Sequence, residues 1–327
     1  MSHIWLLCAK SNNMKNLLFI SPILLILFAC NSNKENQSSE NTEAPIETIK
    51  ILAQWRPGGE TSMIDMPIDH GLDALDIVSQ QDVELDGDDI VLGLSIDKVQ
   101  LAIPLRYLSG FEVANLTINE KPYLITWCPL VGAARIFSGS STGYDFGRGL
   151  INDNLLIVDR KTKSVWNQLS CKAVVGELKG EQLDLLPSIQ STWDFWKQRY
   201  PETGVAVNSD TTGAAFPSEL FSKPYYHDWI PGTPRPKERR SNHNLVYLGL
   251  GVDAGGSQVF FPMLELENAD QPLSYNLNGN DLIIHYDAEG RTAWAENSQG
   301  KLIAGSMVYQ RSWEKFYPKS QIFSISN

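Results

Sequence analysis

The chain has few residues of the kinds that build metal centres, and it lacks the motifs of several enzyme classes. Among its 327 residues are 4 cysteines and 5 histidines, with neither a His-Glu-x-x-His sequence nor a phosphate-binding loop ending in Gly-Lys-Ser/Thr. Its 27 Lys and Arg residues are outnumbered by 38 Asp and Glu, which gives a formal charge of −11. An acidic surface without a basic stripe repels phosphates, so nucleic acid is excluded as a partner.

The N-terminus has the pattern of a bacterial lipoprotein signal. Lys15 precedes an apolar run that suits a signal peptide and is shorter than the roughly 20 residues of a membrane span. The run ends in Leu-Phe-Ala-Cys at positions 27–30, and lipoprotein signal peptidase cuts such a sequence before a lipid-bearing cysteine. We interpret residues 1–29 as a signal peptide that starts at Met14, and Cys30 as the lipidated N-terminus. The alternative is an ordinary secreted protein in which Cys30 is incidental.

The mature chain is expected to have a tether and a globular body. Residues 30–50 are almost wholly polar and cannot bury enough surface to fold, so we expect a flexible tether. The body consists of a first repeat unit at 51–210, a linker loop at 211–244 and a shorter second repeat unit at 245–327. Removing residues 1–29, which carry two Lys and no acid, changes the formal charge from −11 to −13.

The signal also predicts a location and a first partner. Asn31 is not the Asp that retains lipoproteins at the inner membrane in some bacteria. We therefore expect lipid anchoring in the cell envelope at the outer membrane, on its periplasmic or surface side. The membrane is then one partner through the anchor, and an envelope protein or a small-molecule ligand is the other.

The globular body reads as β-rich, with a pattern that occurs twice. Short apolar runs between turn residues predict strands, and a helix is predicted from Ser188 to Arg199. We expect a β-rich α+β fold in which two divergent copies of a β-sheet unit, each with a short helix, pack together. Four motifs recur in the same order: a strand at 90–96 and 246–252, a run containing Pro at 102–105 and 259–263, a turn at 118–121 and 277–280, and a Trp followed by Tyr-Pro at 196–201 and 313–318.

Two cysteines remain in the globular body after signal cleavage and lipidation. Cys128 and Cys171 can form a disulfide in an oxidising envelope if their α-carbons lie within about 7 Å. Otherwise they are two buried thiols that behave as small apolar residues. The sequence leaves both alternatives open.

Several short motifs resemble the uncharacterised bacterial family called domain of unknown function 3179. The similarity is good over residues 85–210 and looser in the second half. The family name assigns no activity, so the resemblance implies none. In order, the motifs are Ala-Ile-Pro-Leu-Arg at 102–106, Ile-Thr-Trp-Cys-Pro-Leu-Val-Gly at 125–132, Leu-Ile-Val-Asp-Arg at 156–160, Ser-Val-Trp-Asn-Gln-Leu at 164–169, Val-Val-Gly at 174–176 and the helix at 193–201.

The resemblance also implies a candidate cleft. The family pattern has Trp-His-Glu, an Asn a few residues later and Tyr-Cys-Pro-Leu-Cys-Gly, which indicates a soft metal site or a redox pair. This chain keeps Glu112, Asn115 and Cys128, but Phe111 and Val131 replace the His and the second Cys. One thiol and one carboxylate are too few ligands for a closed zinc or copper site. We therefore expect a degenerate site with no metal and no cofactor.

Four more residues are candidates for this cleft. Arg106 ends the first matched motif. Asp159 follows a buried-looking strand and is either a catalytic acid or a turn residue. Trp166 and Gln168 are period-two neighbours that either line a ligand cleft or form one face of a strand.

Three functions fit the sequence. The first is an envelope lipoprotein that acts as a binding or interaction module with a degenerate Cys/His site. The alternative is a metal- or thiol-dependent enzyme, or a metal carrier, that uses Cys128 and Glu112. The third is a structural scaffold of an envelope complex.

The lipoprotein interpretation predicts the effect of a single substitution. Cys30→Ser removes the only thiol at the cleavage site, so incorporation of a labelled fatty acid should be lost and the protein should leave the membrane fraction. Cys8→Ser, which lies before Met14, is the matched control and should change neither. Unchanged labelling in Cys30→Ser would contradict the interpretation.

Overall fold

The computed structural model describes residues 61–63, 71–73, 75–108, 111–208 and 248–325. The predicted signal peptide, Cys30, the tether and the linker loop lie outside these residues. Within these ranges, no helix is long and apolar enough to cross a bilayer.

Strands dominate the described part of the chain, and its helices are one or two turns long. The strands are β1 (Thr61–Met63), β2 (Asp76–Ser79), β3 (Ile90–Ile96), β4 (Val99–Pro104), β5 (Val113–Ile118), β6 (Lys121–Cys128), β7 (Ala133–Ser138), β8 (Tyr144–Ile151), β9 (Asn154–Asp159), β10 (Val165–Asn167), β11 (Lys172–Val175), β12 (Leu185–Leu186), β13 (Ile189–Thr192), β14 (Gly204–Val207), β15 (Leu248–Ala254), β16 (Ser257–Pro262), β17 (Leu273–Leu277), β18 (Asn280–Asp287), β19 (Thr292–Asn297), β20 (Leu302–Ile303), β21 (Gly305–Tyr309) and β22 (Gln321–Ile322). The helices are α1 (Leu105–Leu108), α2 (Trp193–Arg199), α3 (Met263–Leu266) and α4 (Gln310–Phe316), and a 3₁₀ turn spans Gln80–Asp82.

In the described residues the strands form five small sheets, arranged as the blades of a five-bladed β-propeller. Almost all neighbouring strands are antiparallel, and most follow one another along the chain. The strand orders are β13-β3-β4-β14-β2 in blade 1, β12-β7-β6-β5 in blade 2, β1-β8-β9-β10-β11 in blade 3, β21-β15-β16-β22 in blade 4 and β17-β18-β19-β20 in blade 5.

The expected α+β fold of two packed units is therefore wrong. Blade 3 has no counterpart, and the helices are too short to form a layer of their own. The predicted helix from Ser188 is also too long, because Ile189–Thr192 pairs with β3 as strand β13. The helix begins only at Trp193, after the Thr192 side chain has accepted a hydrogen bond from the Phe195 N–H as its cap.

The motifs that recur in the sequence lie in pairs of blades with the same strand order, apart from the additional edge strand β2 of blade 1. Blade 4 matches blade 1, with one parallel pair at the equivalent place in each, and blade 5 matches blade 2. The 90–96 strand corresponds to Leu248–Ala254, which has the same burial pattern, and the sequence-based match to 246–252 is two residues out of register. The sequence left the register ambiguous, because Gly249 and Gly251 are two residues apart and each can be aligned with Gly93.

A helix tryptophan lies on a glycine of a neighbouring strand in blades 1 and 4. A Cβ at Gly93 would overlap the indole of Trp196, and a Cβ at Gly251 would overlap the indole of Trp313. Each indole is almost fully buried and donates its N–H to a hydroxyl seven residues later, at 3.0 and 2.7 Å. Each also packs against a tyrosine ring, with centroids 4.4 and 4.2 Å apart. These two contacts fix the helices on their sheets.

Two equivalent backbone hydrogen bonds join blade 1 to blade 5 and blade 4 to blade 2. Thr192 ends β13 and donates its N–H to the carbonyl of Gly290 in the β18–β19 turn, at 2.9 Å. Tyr309 ends β21 and donates in the same way to Val131 in the β6–β7 turn, at 3.0 Å. Gly132 follows with φ +70°, and its missing side chain leaves room for the Tyr309 ring. The largest core cluster accordingly contains side chains from blades 1, 2, 4 and 5.

The contact between Trp313 and Gly251 predicts how much stability is lost when a methyl group is added to the glycine. Gly251→Ala should lower the free energy of unfolding by about 1–3 kcal/mol, because the indole of Trp313 must move out of a tightly packed core. The control is Gly305→Ala in the neighbouring strand, where the nearest atom is the flexible Cδ1 of Leu250 at 3.0 Å. Urea unfolding of both variants measures the difference, and equal losses would contradict the proposed role of the contact.

Candidate functional site

Gln168 belongs to a buried polar network, and its side-chain amide is occupied by hydrogen bonds to other buried groups. Its Nε2 donates to Thr126 Oγ1 at 2.8 Å and to the Ala133 carbonyl at 3.1 Å, and its Oε1 accepts from Asn154 Nδ2 at 2.7 Å. The same asparagine accepts from the Leu169 N–H at 2.8 Å. The network fixes the backbone after β10, so that the carbonyls of Gln168 and Leu169 face β7.

Three other predicted site residues have structural roles away from Gln168. Asn115 donates to the carbonyls of Leu72 and Tyr144, both at 3.0 Å, and accepts from the Tyr144 N–H at 2.8 Å. Asp159 caps the turn after β9 through the N–H groups of residues 161 and 162, at 2.9 and 2.7 Å. Arg106 forms an ion pair with Asp89 at 3.1 Å. Asp159 is thus a turn residue, and these three side chains do not converge.

Glu112 and Cys128 are close to each other but enclosed in the core. Burial raises the pKa of the Glu112 carboxyl to about 8, and none of the other described residues offsets this shift with a hydrogen bond or an ion pair. Burial also raises the pKa of the Cys128 thiol strongly, and the Glu112 charge adds to the effect. A neutral, buried thiol is a poor nucleophile. Phe111 and Val131, at the positions of the family's His and second Cys, are buried apolar residues.

The remaining candidates also pack in the interior. Trp166 lies on β10 and is buried, and its Nε1 donates to none of the described groups. Cys128 and Cys171 are both free, so they are buried thiols and not a disulfide. Within the described ranges, no three His, Cys, Asp or Glu side chains are grouped to hold a metal ion.

A cleft of about 870 Å³ lies between blades 2, 3 and 4 and is the better candidate site. Its volume is that of a small-molecule pocket. It contains cationic, thiol, hydroxyl and aromatic side chains, none of which was among the predicted site residues. Its lining comprises Arg135, Ser170, Cys171, Lys172, Gln182, Leu183, Asp184, Leu185, Gly251, Asp253, Gly256, Gln258, Ala304, Gly305, Ser306, Trp313, Phe316 and Tyr317.

Arg135 is the unusual member of this lining. It is only 2% exposed, and its Nη1 donates to the carbonyls of Gln168 and Leu169 at 3.0 and 2.8 Å and to Cys171 Sγ at 3.2 Å. Its side chain is also hydrogen-bonded to that of Tyr317. Its Nε is buried with no hydrogen-bond partner in the described structure. No Asp or Glu of the described residues forms an ion pair with it. A buried charge is costly unless it is hydrogen-bonded, and here the acceptors are backbone carbonyls and a thiol, with the Asp253 carboxylate in the same lining.

The Cys171 thiol and the Tyr317 hydroxyl contact the guanidinium, and Ser306 lines the same cleft. The Oγ of Ser306 is buried and, in the described part of the chain, has no hydrogen-bond partner. The Tyr317 hydroxyl donates to the Leu169 carbonyl at 2.7 Å, and burial raises its pKa despite the nearby Arg135 charge. Burial likewise raises the pKa of Cys171, with Arg135 opposing the shift, so the thiol stays protonated.

The matched blades provide an internal comparison for this cleft. Ser306 pairs with Gly251 in blade 4, and Ile189 pairs with the equivalent Gly93 in blade 1. Arg135 is the third residue of β7, and Trp294 is the third residue of the equivalent strand β19. Ile189 and Trp294 pack with Trp196 in one apolar cluster. The two equivalent positions therefore differ. Apolar side chains fill the one between blades 1 and 5, whereas the one between blades 4 and 2 has a polar cleft.

One signal in the sequence pointed to this site. The run Ala133–Ser138 reads as a buried strand, and a single arginine stands inside it. Such a residue needs buried acceptors, which here come from residues 33 to 36 positions further along the chain. The other cleft residues lie far apart in the sequence and are brought together by the fold alone. They carry no local pattern.

Comparison with known proteins places the chain in a family. The family model described as protein of unknown function (DUF3179) matches residues 72–322. The chain belongs to this family. No curated protein and no solved structure matches the chain.

The buried carboxyl of Glu112 predicts a dependence of stability on pH. Its folded pKa of about 8 lies above the ordinary value of 4.5, so the folded state binds this proton more tightly than the unfolded state. This contribution is complete below pH 4.5 and is lost as the pH rises to about 8.

Glu112→Gln cannot ionise, so its unfolding free energy relative to the native sequence should increase with pH by up to about 1.4 kcal/mol per unit in that window. Urea unfolding at pH 5 and pH 8 measures this difference, and the exposed Glu120→Gln is the control. A difference that does not change with pH would show that Glu112 is not buried as a neutral acid.

Proposed function

We propose that the protein is a lipid-anchored envelope protein that binds a small molecule in the cleft between blades 2, 3 and 4. The observation that carries this proposal is one large cleft whose lining combines the buried Arg135 and Ser306 with the aromatic side chains of Trp313, Phe316 and Tyr317. Small-molecule pockets have this kind of lining, in which apolar and aromatic side chains surround a few polar groups that orient the ligand.

Binding fits the site better than catalysis. The Cys171 thiol beside Arg135 is protonated, because burial raises its pKa. Cys128 and Glu112, the pair considered for a thiol- or metal-dependent enzyme, do not line the cleft. The cleft thus contains groups that recognise a ligand but no activated nucleophile.

The anchor is argued from the sequence. Cys30 follows a signal of the lipoprotein type, and the polar residues up to 50 provide a tether that holds the body away from the bilayer. A binding protein of this kind would work at the outer membrane, on its periplasmic or surface side.

A substitution taken from the matched blade tests the cleft. Ser306→Ile introduces the residue that blade 1 has at the equivalent position, and it should exclude the ligand while the fold is kept. Ser274→Ile makes the same change on an exposed position of β17 and is the control.

Native mass spectrometry of the three proteins, purified from bacterial envelopes, is the readout. The native protein and Ser274→Ile should carry a small molecule that Ser306→Ile lacks. Identical masses without any bound molecule in all three would overturn the proposed function.

A further inference from the structure

We propose that the cleft binds a neutral saccharide, with one face of a sugar ring on an aromatic wall and its hydroxyl groups on the polar side chains of the rim. The inference rests on the proposed function, because it names the chemical class of the ligand in the same cleft. Three features of the lining support it: a fixed aromatic wall, a rim of hydrogen-bonding side chains and a balance of charge.

The aromatic wall consists of Trp313, Phe316 and Tyr317, and buried contacts hold it in place. The Tyr317 ring packs on Trp313 with centroids 4.2 Å apart. Its hydroxyl donates to the Leu169 carbonyl at 2.7 Å and is hydrogen-bonded to the side chain of Arg135. Phe316 and Tyr317 are both partly exposed. The cleft therefore has a preformed aromatic surface that costs little ordering when a ligand binds.

The equivalent helix of blade 1 differs at one position of this wall. Three residues after the tryptophan, α2 has Arg199 where α4 has Phe316. The Arg199 guanidinium lies 4.9 Å from the centroid of the Trp294 ring and pairs with Glu296 at 3.5 Å. Since the same fold accepts an arginine there, the fold does not require the phenyl ring that lines the cleft.

An aromatic wall beside polar groups suits a sugar ring. The C–H groups on one face of such a ring form an apolar, slightly positive surface, which packs on the negative face of an aromatic side chain. The hydroxyl groups project from the edge of the ring, where they both donate and accept hydrogen bonds. A sugar on the wall therefore needs a rim that offers partners of both kinds.

The rim of the cleft supplies these partners. Asp253 accepts from Gln258 Nε2 at 2.9 Å, and Asp184 accepts from Ser138 Oγ at 2.8 Å, so both carboxylates are positioned. An ionised carboxylate accepts about four hydrogen bonds, so each can also accept from a ligand hydroxyl. Burial raises the pKa of the Tyr317 hydroxyl and the Asp253 charge adds to the effect, which places this carboxylate near the wall. The polar side chains of the rim are Lys172, Gln182, Asp184, Asp253 and Gln258.

The pair of Asp253 and Gln258 also has a counterpart in blade 1. Gln258 lies opposite Asp253 in blade 4, as Gln100 lies opposite Ser95 in blade 1. In both pairs the glutamine amide donates to its neighbour, at 2.9 and 3.5 Å. The acceptor is a hydroxyl in blade 1 and a carboxylate in blade 4. Serine is thus compatible with this strand pair, and the carboxylate at the cleft is a second feature that the fold does not require.

The charge of the lining favours a neutral ligand. Its charged side chains are Arg135, Lys172, Asp184 and Asp253, two positive and two negative. The two acids repel an anion and the two bases repel a cation, and the formal charge of −11 on the whole chain further disfavours an anion. A neutral molecule with many hydroxyl groups can use both kinds of side chain without this repulsion.

Calorimetry with free sugars tests the class of ligand. The neutral probes are glucose, galactose, mannose, N-acetylglucosamine, maltose and cellobiose. Glucuronate and glucosamine add a negative or a positive charge to the same ring, and cyclohexanol keeps an apolar ring face without the sugar hydroxyls. In parallel, native mass spectrometry of protein purified from envelopes gives the composition of any molecule that co-purifies.

Two pairs of variants locate the binding. Phe316→Leu removes the ring from the wall and Phe316→Tyr keeps one, while Phe195→Leu is the matched control on α2, outside the cleft. Asp253→Ser introduces the residue of blade 1. Its control is Asp281→Ser, because Asp281 also accepts from an amide opposite it, that of Asn276 at 2.6 Å, but lies outside the cleft.

We expect at least one neutral sugar to bind, its charged derivatives to bind at least about tenfold more weakly, and cyclohexanol not to bind. Phe316→Leu should weaken binding by about threefold to tenfold because the aromatic face is lost, and Phe316→Tyr should retain it. Asp253→Ser should weaken binding by about tenfold, since a hydrogen bond to a charged group is lost. Phe195→Leu and Asp281→Ser should bind as the native protein does.

The inference can fail while the proposed function stands. This is the outcome if the co-purified molecule is not a sugar, or if cyclohexanol or glucuronate binds as tightly as the neutral sugars. Sugar binding that is unchanged in both Phe316→Leu and Asp253→Ser would place the sugar outside the cleft and would also overturn the inference. If Phe316→Leu does not fold, Asp253→Ser at its exposed position still decides.

Two further outcomes complete the test. A co-purified molecule with the composition of a neutral sugar supports the inference even if it is not among the probes. If no probe binds and nothing co-purifies, the inference and the proposed function both fail.

Discussion

The fold depends on tryptophan side chains packed directly on glycines of the sheet. Trp196 on Gly93 and Trp313 on Gly251 bring a short helix into contact with each of two blades, at a distance that any side chain on the strand would prevent. In blade 4 this contact also sets the shape of the cleft. Trp313 is seated on Gly251, and Trp313, Phe316 and Tyr317 line the same cleft as Arg135. A structural contact and a candidate binding surface are thus parts of one arrangement.

The difference between matched blades is the clearest indication of function in the molecule. Strand β13 of blade 1 docks on a turn of blade 5, and strand β21 of blade 4 docks on a turn of blade 2, through hydrogen bonds of 2.9 and 3.0 Å. At one of these junctions Ile189 and Trp294 complete an apolar core. At the other, Ser306 and Arg135 occupy the equivalent positions and leave buried polar groups without partners. Since an apolar solution is available in the same fold, the polar one is costly and requires a reason outside stability.

Local features of this protein could be predicted from its sequence, whereas its long-range arrangement could not. The β-rich character and the recurring Trp and Tyr-Pro motif depend on residues a few positions apart, and both are present in the structure. The number of sheets depends on partners far apart, such as β14, which pairs with both β2 and β4. The site failed to be predicted for the same reason. The family motif drew attention to Glu112 and Cys128, which are core residues, while Arg135 meets its acceptors only through folding.

The central claim is that the cleft between blades 2, 3 and 4 binds a small molecule. The most direct test is a crystal structure, at a resolution that distinguishes water from an organic molecule, of the mature protein purified from its own envelope. The account predicts continuous non-protein density in the cleft, in contact with the aromatic side chains of Trp313, Phe316 and Tyr317. A cleft that holds only separate waters would contradict it.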